Sequence, residues 1–228
     1  KTKSRNLNFF DATCPLVTKV HMEVRKHAKA SKDIILVGHE GHPEVEGTMG
    51  RHINSENSSI YLVQNELDAK NIEINNPTKL ALVTQTTLSV DETKSIIDIL
   101  KYRFPDIDIP KRDDICYATQ NRQDAVKQLA LESDFMIVVG SKNSSNSNRL
   151  SELAEKCGCR SILIDEFTDI DLNDLKNYSK ISITAGASAP ESKVMEIAKS
   201  LELHTDAKII EHGEDNEDIY FKLPPGLR

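Results

Sequence analysis

Two cysteines lie in short segments of similar composition, Asp11-Ala-Thr-Cys14-Pro and Asp113-Asp-Ile-Cys116-Tyr-Ala-Thr. Each cysteine stands in front of a stretch with a helical pattern. A fold can bring two such thiols together to hold an iron–sulfur cluster, because cluster ligands need not be close in sequence. Zinc is the competing metal, and two free thiols without a metal are the plain alternative. Cys14 and Cys116 are therefore candidate metal ligands.

Three other segments are dense in hydroxyl, amide and glycine groups: 84–89, 140–148 and 184–190. Each follows an apolar run and precedes a helical pattern. Backbone N–H groups and the helix dipole make such positions favourable for anions. A polar surface loop with a helix N-cap is the alternative for any one of them. Three together predict phosphate or diphosphate binding, and the lack of a P-loop pattern argues against a nucleoside triphosphate.

The segment 38–47 adds acid–base chemistry, since His42 and Glu44 are separated only by Pro43. Histidine can donate to phosphate and carry a proton near neutral pH. A glutamic acid can donate a proton when burial or a nearby anion raises its pKa. The alternative is that Glu44 belongs to the first turn of the following helix, where the dipole favours a carboxylate. His39 is interpreted as a local hydrogen-bonding residue.

The elements that position these residues alternate between apolar runs and amphipathic stretches. Continuous apolar runs are typical of strands buried on both faces of a parallel sheet. They predict strands at 34–37, 60–63, 80–83, 135–139, 162–164 and 181–183. Helices are predicted at about 15–30, 89–102, 119–131, 146–156 and 190–201, with Ser89 as an N-cap. The alternation indicates an α/β fold with two consecutive three-layer units and mostly parallel sheets.

A change of composition near 104–112, where two prolines and several charges cluster, predicts a boundary between the two units. We place one α/β domain at 15–112 and the next at 113–202. The tail, 203–228, is expected to contain a strand, a charged loop at 211–218 and a short strand at 219–223.

Bulk composition argues against several classes of protein. The chain has 228 residues and a formal net charge of −7, which argues against a general nucleic-acid surface. No apolar run approaches the ~20 residues of a transmembrane helix, and the first residues lack the apolar core of a signal peptide. We expect a cytoplasmic protein without disulfides. The Cys157-Gly158-Cys159 segment is interpreted as a helix end with Gly158 at the cap.

Six stretches resemble the signature motifs of the 4-hydroxy-3-methylbut-2-enyl diphosphate reductase family, in the order and at the spacing found there. The stretches are Asp11-Ala-Thr-Cys-Pro-Leu-Val-Thr-Lys-Val-His21, Gly41-His-Pro-Glu-Val-Glu-Gly-Thr48, Thr84-Gln-Thr-Thr-Leu-Ser89, Asp114-Ile-Cys-Tyr-Ala-Thr119, Gly140-Ser-Lys-Asn-Ser-Ser-Asn-Ser-Asn-Arg-Leu150 and Thr184-Ala-Gly-Ala-Ser-Ala-Pro190. The resemblance covers the chain from about Phe9 to Pro190.

The resemblance implies three α/β domains around a [4Fe–4S] cluster held by three cysteines, two of them Cys14 and Cys116. It implies proton delivery through Glu44 and Thr86, with Thr86 also orienting the substrate. It implies a diphosphate site, whose residues would be His42, Ser144, Ser145, Asn146 and Ser188. The implied reaction is reductive loss of the allylic hydroxyl as water, which gives isopentenyl and dimethylallyl diphosphate. Electrons would come from a ferredoxin- or flavodoxin-type carrier, with no nucleic-acid or membrane partner.

The sequence departs from the family in one respect. The family's first domain carries the third cluster cysteine, in a Phe-Cys-Ala-Gly-type motif, and two further diphosphate-binding histidines; no such motif precedes Lys1. Residues 1–14 are therefore interpreted as a remnant or linker, and the 228-residue chain by itself is expected to be inactive or nearly so. A non-catalytic diphosphate-binding module remains the alternative function, and a zinc-dependent phosphate-ester hydrolase using Cys14, His42 and Cys116 is a third hypothesis.

Overall fold

A computed structural model describes residues 10–52, 57–110, 114–212, 219–223 and 227. In these residues the chain forms two α/β units in succession. The first unit contains α1 (Pro15–Lys29), β1 (Asp33–Val37), α2 (Pro43–Met49), β2 (Ile60–Val63), α3 (Glu66–Asn71), β3 (Leu80–Thr84) and α4 (Val90–Arg103). The second contains α5 (Tyr117–Glu132), β4 (Phe135–Val139), α6 (Ser145–Lys156), β5 (Arg160–Ile164), α7 (Leu172–Leu175), β6 (Ile181–Ala185) and α8 (Glu191–His204).

Each unit is built on a three-stranded parallel sheet. The strand order is β2-β1-β3 in the first unit and β5-β4-β6 in the second. The central strands β1 and β4 are buried along their whole length, as expected for a parallel sheet covered by helices on both faces. Because all strands of a sheet run in one direction, their carboxyl ends meet at one edge, and the loops that leave this edge lie close together. The predicted α/β fold with parallel sheets is confirmed.

Separate apolar clusters cover the two faces of each sheet. In the first unit, Ile35, Val37 and Leu82 pack with α4, whereas Ile34, Leu36 and Val83 pack with α1. The second unit repeats this arrangement, with α8 on one face of β4 and with α5 and α6 on the other. Alternate residues of a strand point to opposite faces, so one short apolar run supplies both clusters.

The predicted strands agree with the observed ones to within two residues at either end. Helix α4 begins after Ser89, whose side chain accepts a hydrogen bond from the backbone N–H of Glu92. The short helices α3 and α7 were not predicted, and α2 was expected only as the helix that follows in the alternative interpretation of Glu44. A helix of four to seven residues shows too little periodicity to separate it from a loop in the sequence.

The end of α6 confirms the interpretation of the Cys157-Gly158-Cys159 segment. Gly158 has a φ of +85°, and its backbone N–H donates to the carbonyl of Glu155. The N–H of Cys159 donates to the carbonyl of Ala154 at 3.0 Å. These two bonds form a Schellman motif, so glycine here serves the backbone turn.

The predicted strands of the tail are wrong for the residues described. Helix α8 continues to His204, and neither 205–212 nor 219–223 is in a strand. Ile210 and Tyr220 are largely exposed, and no sheet edge pairs with these segments in the described part of the chain. A strand needs a partner for its N–H and C=O groups, and an apolar alternation by itself does not supply one. Residues 213–218 of the predicted charged loop lie outside the described residues. No helix among those described is long and apolar enough to span a bilayer.

Candidate active site

Glu44 and Thr86 form the centre of the site, at the carboxyl edge of the first sheet. One carboxylate oxygen of Glu44, Oε1, accepts the backbone N–H of Thr86 at 2.7 Å, and the other, Oε2, lies 3.1 Å from Thr86 Oγ1. Glu44 is in the first turn of α2, and Thr86 follows β3. The helical interpretation of Glu44 and the acid–base interpretation are therefore compatible, since the first turn of α2 aims this carboxyl at the loop after β3.

Burial raises the pKa of the Glu44 carboxyl, and the nearby negative charge of Asp114 acts in the same direction. The two hydrogen bonds from Thr86 oppose this effect. Oε1 is engaged by a backbone N–H, which can only donate, whereas Oε2 faces the Thr86 hydroxyl, which can donate or accept. A proton held on Oε2 would therefore lie next to Thr86 Oγ1.

His42 is the N-cap of α2, and its Nδ1 accepts the backbone N–H of Glu44 at 3.2 Å. Burial lowers the pKa of this imidazole, which favours the neutral form. Because Nδ1 is an acceptor here, the proton of the neutral ring belongs on Nε2. His42 can thus offer one N–H donor to a ligand.

Cys116 adjoins this group from the second unit. Its backbone N–H donates to the carbonyl of Thr86 at 3.0 Å, and it is the N-cap of α5. Its sulfur accepts the backbone N–H of Thr119 and lies 2.9 Å from Thr119 Oγ1. The sulfur therefore lies at the N-terminus of α5, next to the loop that contains Thr86.

Cys14 occupies the same kind of position in front of α1, but its side chain is exposed and makes no capping hydrogen bond. Its link to the other site residues is indirect. Lys19, on the second turn of α1, contacts the buried carboxylate of Asp114 at 3.1 Å, and Asp114 is two residues before Cys116.

The loop before α6 contains the second group of polar side chains. Ser144 is the N-cap, and its hydroxyl accepts the backbone N–H of Ser147. Asn146 is 5% exposed, and both polar atoms of its amide are buried without a hydrogen-bond partner in the described residues. Buried amides normally have partners, so an unpaired amide at a helix N-terminus indicates a place for a ligand.

The two units meet at these loops. Thr87 Oγ1 lies 3.5 Å from Ser145 Oγ, and an Arg149 nitrogen, Nη2, lies 2.6 Å from His39 Nε2. Since arginine can only donate, His39 Nε2 is the acceptor and this ring is neutral. His39 is therefore a hydrogen-bonding residue, but the prediction of a local partner is wrong, because the ring is bound by Arg149 of the other unit.

Ser188 lies in the exposed part of the loop after β6. That loop begins at Gly186, which packs directly against Ser147: a methyl group on Gly186 would lie 2.0 Å from Ser147 Oγ. Ser188 therefore belongs to the same cluster of loops, although its own side chain is free to solvent in this conformation.

Three residues of the site were not singled out from the sequence. Gln85 is almost fully buried; it accepts the backbone N–H of His39 and donates to Thr87 Oγ1. Arg149 and Asp114 connect elements that are distant in sequence. The only signal for Gln85 was its position between Thr84 and Thr86, and the partners of the other two could not be read from local patterns.

Comparison with known proteins gives a consistent result. A family model described as LytB protein matches residues 1–202 of the chain. The 4-hydroxy-3-methylbut-2-enyl diphosphate reductase of Saccharophagus degradans is 55% identical over 224 residues, which are 98% of this chain and 72% of the relative. The protein of the same name from Chromohalobacter salexigens is 54% identical and covers 100% of this chain and 72% of its own length.

Solved structures agree. The E-1-hydroxy-2-methyl-but-2-enyl-4-diphosphate reductase of Plasmodium falciparum superposes with a TM-score of 0.89 at 36% identity, over 97% of this chain and 69% of that one. A second structure, of (E)-4-hydroxy-3-methyl-but-2-enyl diphosphate reductase, the terminal enzyme of the non-mevalonate pathway, has a TM-score of 0.56 at 28% identity, over 89% of this chain and 70% of that one.

Proposed function

Because this chain belongs to the LytB family of 4-hydroxy-3-methylbut-2-enyl diphosphate reductases, we propose that it carries the proton-delivery and diphosphate-binding parts of that reaction. The substrate loses its allylic hydroxyl as water and yields isopentenyl and dimethylallyl diphosphate. One observation carries the proposal: Thr86 contacts Glu44 through its N–H and hydroxyl and Cys116 through its carbonyl. Thr86 thus contacts both the proposed acid, Glu44, and the candidate metal ligand, Cys116.

The diphosphate binds at the N-terminus of α6. The N–H groups of that helix and the amide of Asn146 donate to the phosphate oxygens, and the hydroxyls of Ser144 and Ser145 add further donors. His42 donates from Nε2, and Ser188 reaches the anion from the loop after β6. Because the buried amide of Asn146 has no hydrogen-bond partner in the described residues, a ligand that accepts its N–H groups would remove the free-energy cost of leaving them unpaired.

Glu44 supplies a proton for the departing hydroxyl. Burial keeps its carboxyl protonated at a higher pH than an exposed glutamic acid. The proton passes from Oε2 to Thr86 Oγ1, and the Thr86 hydroxyl passes its own proton to the substrate oxygen. Closure of the surrounding loops over the diphosphate excludes water, which limits protonation at the wrong carbon.

Cys14 and Cys116 would hold two irons of a [4Fe–4S] cluster. Both residues stand at helix N-termini, and cysteine sulfur is the donor that such clusters use. When bound, the cluster supplies two electrons from a ferredoxin- or flavodoxin-type protein and a Lewis-acidic iron for the substrate oxygen.

We do not expect either of the two remaining cysteines to be the third ligand of the cluster. Cys157 and Cys159 follow the C-terminus of α6, about 18 Å of helix away from the Ser145 end. No group of three metal-binding side chains occurs within the described residues. We therefore expect the 228-residue chain by itself to hold a cluster weakly and to turn over little or no substrate.

The test is anaerobic reconstitution of the chain with iron and sulfide, followed by iron and sulfide analysis, absorbance spectroscopy and an assay with a chemical reductant. Cys14→Ser and Cys116→Ser should each lower the bound iron and bleach the spectrum, whereas Cys157→Ser serves as the matched control and should not. Equal iron content in all three variants would exclude the assigned ligands. A stable cluster with normal turnover in the 228-residue chain would contradict the expected inactivity.

The alternative is a diphosphate-binding module without redox chemistry, which the unpaired Asn146 amide would also suit. Binding of inorganic pyrophosphate distinguishes the two functions. In the complete enzyme, which supplies a third ligand, a reductase binds iron, loses it in Cys116→Ser and still binds pyrophosphate, whereas a simple module binds no iron and binds pyrophosphate equally well with and without the substitution.

A further inference from the structure

Asp114 contacts two elements that start or end at the site. Its side chain is completely buried. One carboxylate oxygen, Oδ2, accepts the backbone N–H of Thr84 at 3.1 Å, and the other, Oδ1, accepts from Lys19 Nζ at 3.1 Å. A fully buried carboxylate is costly unless it is paired and hydrogen-bonded, so the bonds from Thr84 and Lys19 help to stabilise the ionised form of Asp114.

Each contact leads to a different part of the proposed centre. Thr84 ends β3 and is two residues before Thr86. Lys19 belongs to α1, the helix that begins after Cys14. Asp114 itself is two residues before Cys116. One carboxylate therefore connects the helix of one cysteine, the loop of the other cysteine and the strand end that holds the Glu44–Thr86 pair.

The Lys19–Asp114 bond links Cys14 to the rest of the site through α1, the helix that begins after Cys14. Cys14 itself is exposed and makes no capping bond. Lys19 is 39% exposed at its side chain, and its only other ionic partner in the described residues is Glu23, at 3.9 Å on the same helix. A bond within one helix cannot orient that helix toward a neighbouring loop. The bond to Asp114 can, and it is also the shorter of the two.

We propose that Asp114 is a positioning residue that sets the separation of Cys14 and Cys116 through its bonds to Lys19 and Thr84. The proposal rests on the function proposed above, in which both sulfurs bind one cluster. Asp114 is not a ligand or a proton donor in this scheme. It fixes the axial position of α1 against the loop that precedes α5, before any cluster is bound.

Proximity of the two thiols can be measured in the metal-free, reduced 228-residue chain with a short bifunctional thiol reagent, with peptide mapping to count Cys14–Cys116 links. Asp114→Asn keeps an acceptor for the Thr84 N–H but removes the ionic bond to Lys19, and Lys19→Met removes the same bond from the other side. We expect each variant to form this link about fivefold more slowly, the scale of losing one partly exposed charge-assisted hydrogen bond. The double variant should be no slower than Asp114→Asn.

Two controls separate positioning from general stability. Lys19→Arg keeps a cationic donor and should retain most of the cross-linking rate. Asp33→Asn alters a buried carboxylate of the first unit, which accepts the N–H groups of Ser59 and Asn76 at the opposite edge of the first sheet. It should lower the melting temperature without changing the rate of the Cys14–Cys116 link.

The outcomes are distinct. If Lys19→Met and Asp114→Asn are folded and cross-link as fast as the unsubstituted chain, the positioning role is excluded and the proposed function stands. If Asp114→Asn does not fold, the rate of the Cys14–Cys116 link in Lys19→Met tests the positioning role by itself. If the unsubstituted chain forms no Cys14–Cys116 link, the shared cluster site fails, and the positioning role fails with it.

Discussion

At the scale of single residues, the site depends on polar groups that are buried before any ligand is present. Burial favours the protonated form of Glu44, and the Asn146 amide is left without partners in the described residues. Both conditions cost stability in the free protein. We expect a bound substrate to offset this loss of stability by accepting the proton and the hydrogen bonds.

Glu44→Gln tests the proton donor. Because burial raises the folded-state pKa of Glu44 above its ordinary value of 4.5, the folded protein binds more protons than the unfolded chain, and stability falls as pH rises between the two pKa values. A glutamine side chain does not titrate and would not share this loss. We expect the variant to be at least as stable as the unsubstituted chain at neutral pH, with the difference disappearing below the ordinary pKa of 4.5.

The measurement is the melting temperature as a function of pH, with Glu46→Gln, on the exposed side of the same helix, as the control. In the cluster-loaded complete enzyme, Glu44→Gln should also lower turnover by about 10²-fold or more, as for loss of a general acid. A variant that is less stable than the control at neutral pH and retains turnover would contradict the assignment.

Asn146→Leu tests the anion site. Replacing an unpaired buried amide by an apolar side chain of similar size removes a desolvation cost of about 1–3 kcal/mol, so the unligated chain should melt at the same or a higher temperature. Addition of inorganic pyrophosphate should stabilise the unsubstituted chain and have a much smaller effect on the variant.

Asn148→Ala is the matched control, two residues along the same helix. Its amide donates to the carbonyls of Lys142 and Ser144 at 2.8 Å, so truncation should lower the melting temperature. The assignment of Asn146 is wrong if Asn146→Leu loses as much stability as Asn148→Ala and responds equally to pyrophosphate.

At the scale of elements, the loops of the second unit are held by an unusually close approach of α6 to two strand ends. Ser147 is fully buried. A methyl group on Gly140, after β4, would lie 2.3 Å from its hydroxyl, and one on Gly186, after β6, would lie 2.0 Å from it. The two glycines therefore determine how near the N-terminus of α6, with its candidate anion site, can come to the sheet.

Gly186→Ala should destabilise the chain by about 1–3 kcal/mol, the usual cost of overpacking, and should weaken pyrophosphate binding because α6 has to shift. Ser147→Ala removes the clashing hydroxyl and leaves Cβ at 3.2 Å from the added methyl, so the double variant should recover most of the loss. Chemical denaturation of the single and double variants measures this coupling.

Gly47→Ala provides the comparison within a helix. The nearest atom to its added methyl is 3.6 Å away, an ordinary contact, and alanine favours helix over glycine by about 1 kcal/mol. This variant should be neutral or more stable. An equal loss of stability in Gly47→Ala and Gly186→Ala would show that the close approach of α6 to Gly186 does not limit the residue at that position.

At the scale of the whole molecule, the two units are joined by buried polar contacts at the carboxyl edges of their sheets. Gln123, on α5, is 2% exposed. Its amide donates to the carbonyl of Leu88 at 2.8 Å and accepts the N–H of Val90 at 3.1 Å. It holds the start of α4 against the second unit, and the Arg149–His39 bond holds the loop after β1 in the same way.

Gln123→Leu would leave the backbone groups of Leu88 and Val90 buried and unpaired, each at a cost of about 1–3 kcal/mol. We expect lower stability and a broader denaturant transition, because the two units lose part of their coupling. Gln120→Ala, whose amide contacts the carbonyl of Ile115 within the second unit, should lower stability less and keep a single sharp transition. Identical curves for the two variants would argue against a coupling role.

Much of this molecule follows from local sequence. Apolar runs of four or five residues determine the strands, because a strand buried on both faces must be apolar throughout. Ser89 and Ser144 determine where α4 and α6 begin, because their hydroxyls satisfy the first N–H groups of a helix. The loops with candidate chemistry were recognisable because parallel strands place the segments after them at one edge.

Other features depended on contacts between distant residues, and the sequence carries no local signal for them. Strands were predicted correctly in the two sheets and wrongly in the described residues of the tail, because pairing requires a neighbouring strand. Thr86, Asp114 and Arg149 each have a partner tens of residues away, and only tertiary packing, within the first unit or between the two units, brings these pairs together. The sequence thus determined which groups are available for chemistry and at which edge they lie. The tertiary structure decided which of them are in hydrogen-bonding or ionic contact, since such interactions extend over only a few ångströms.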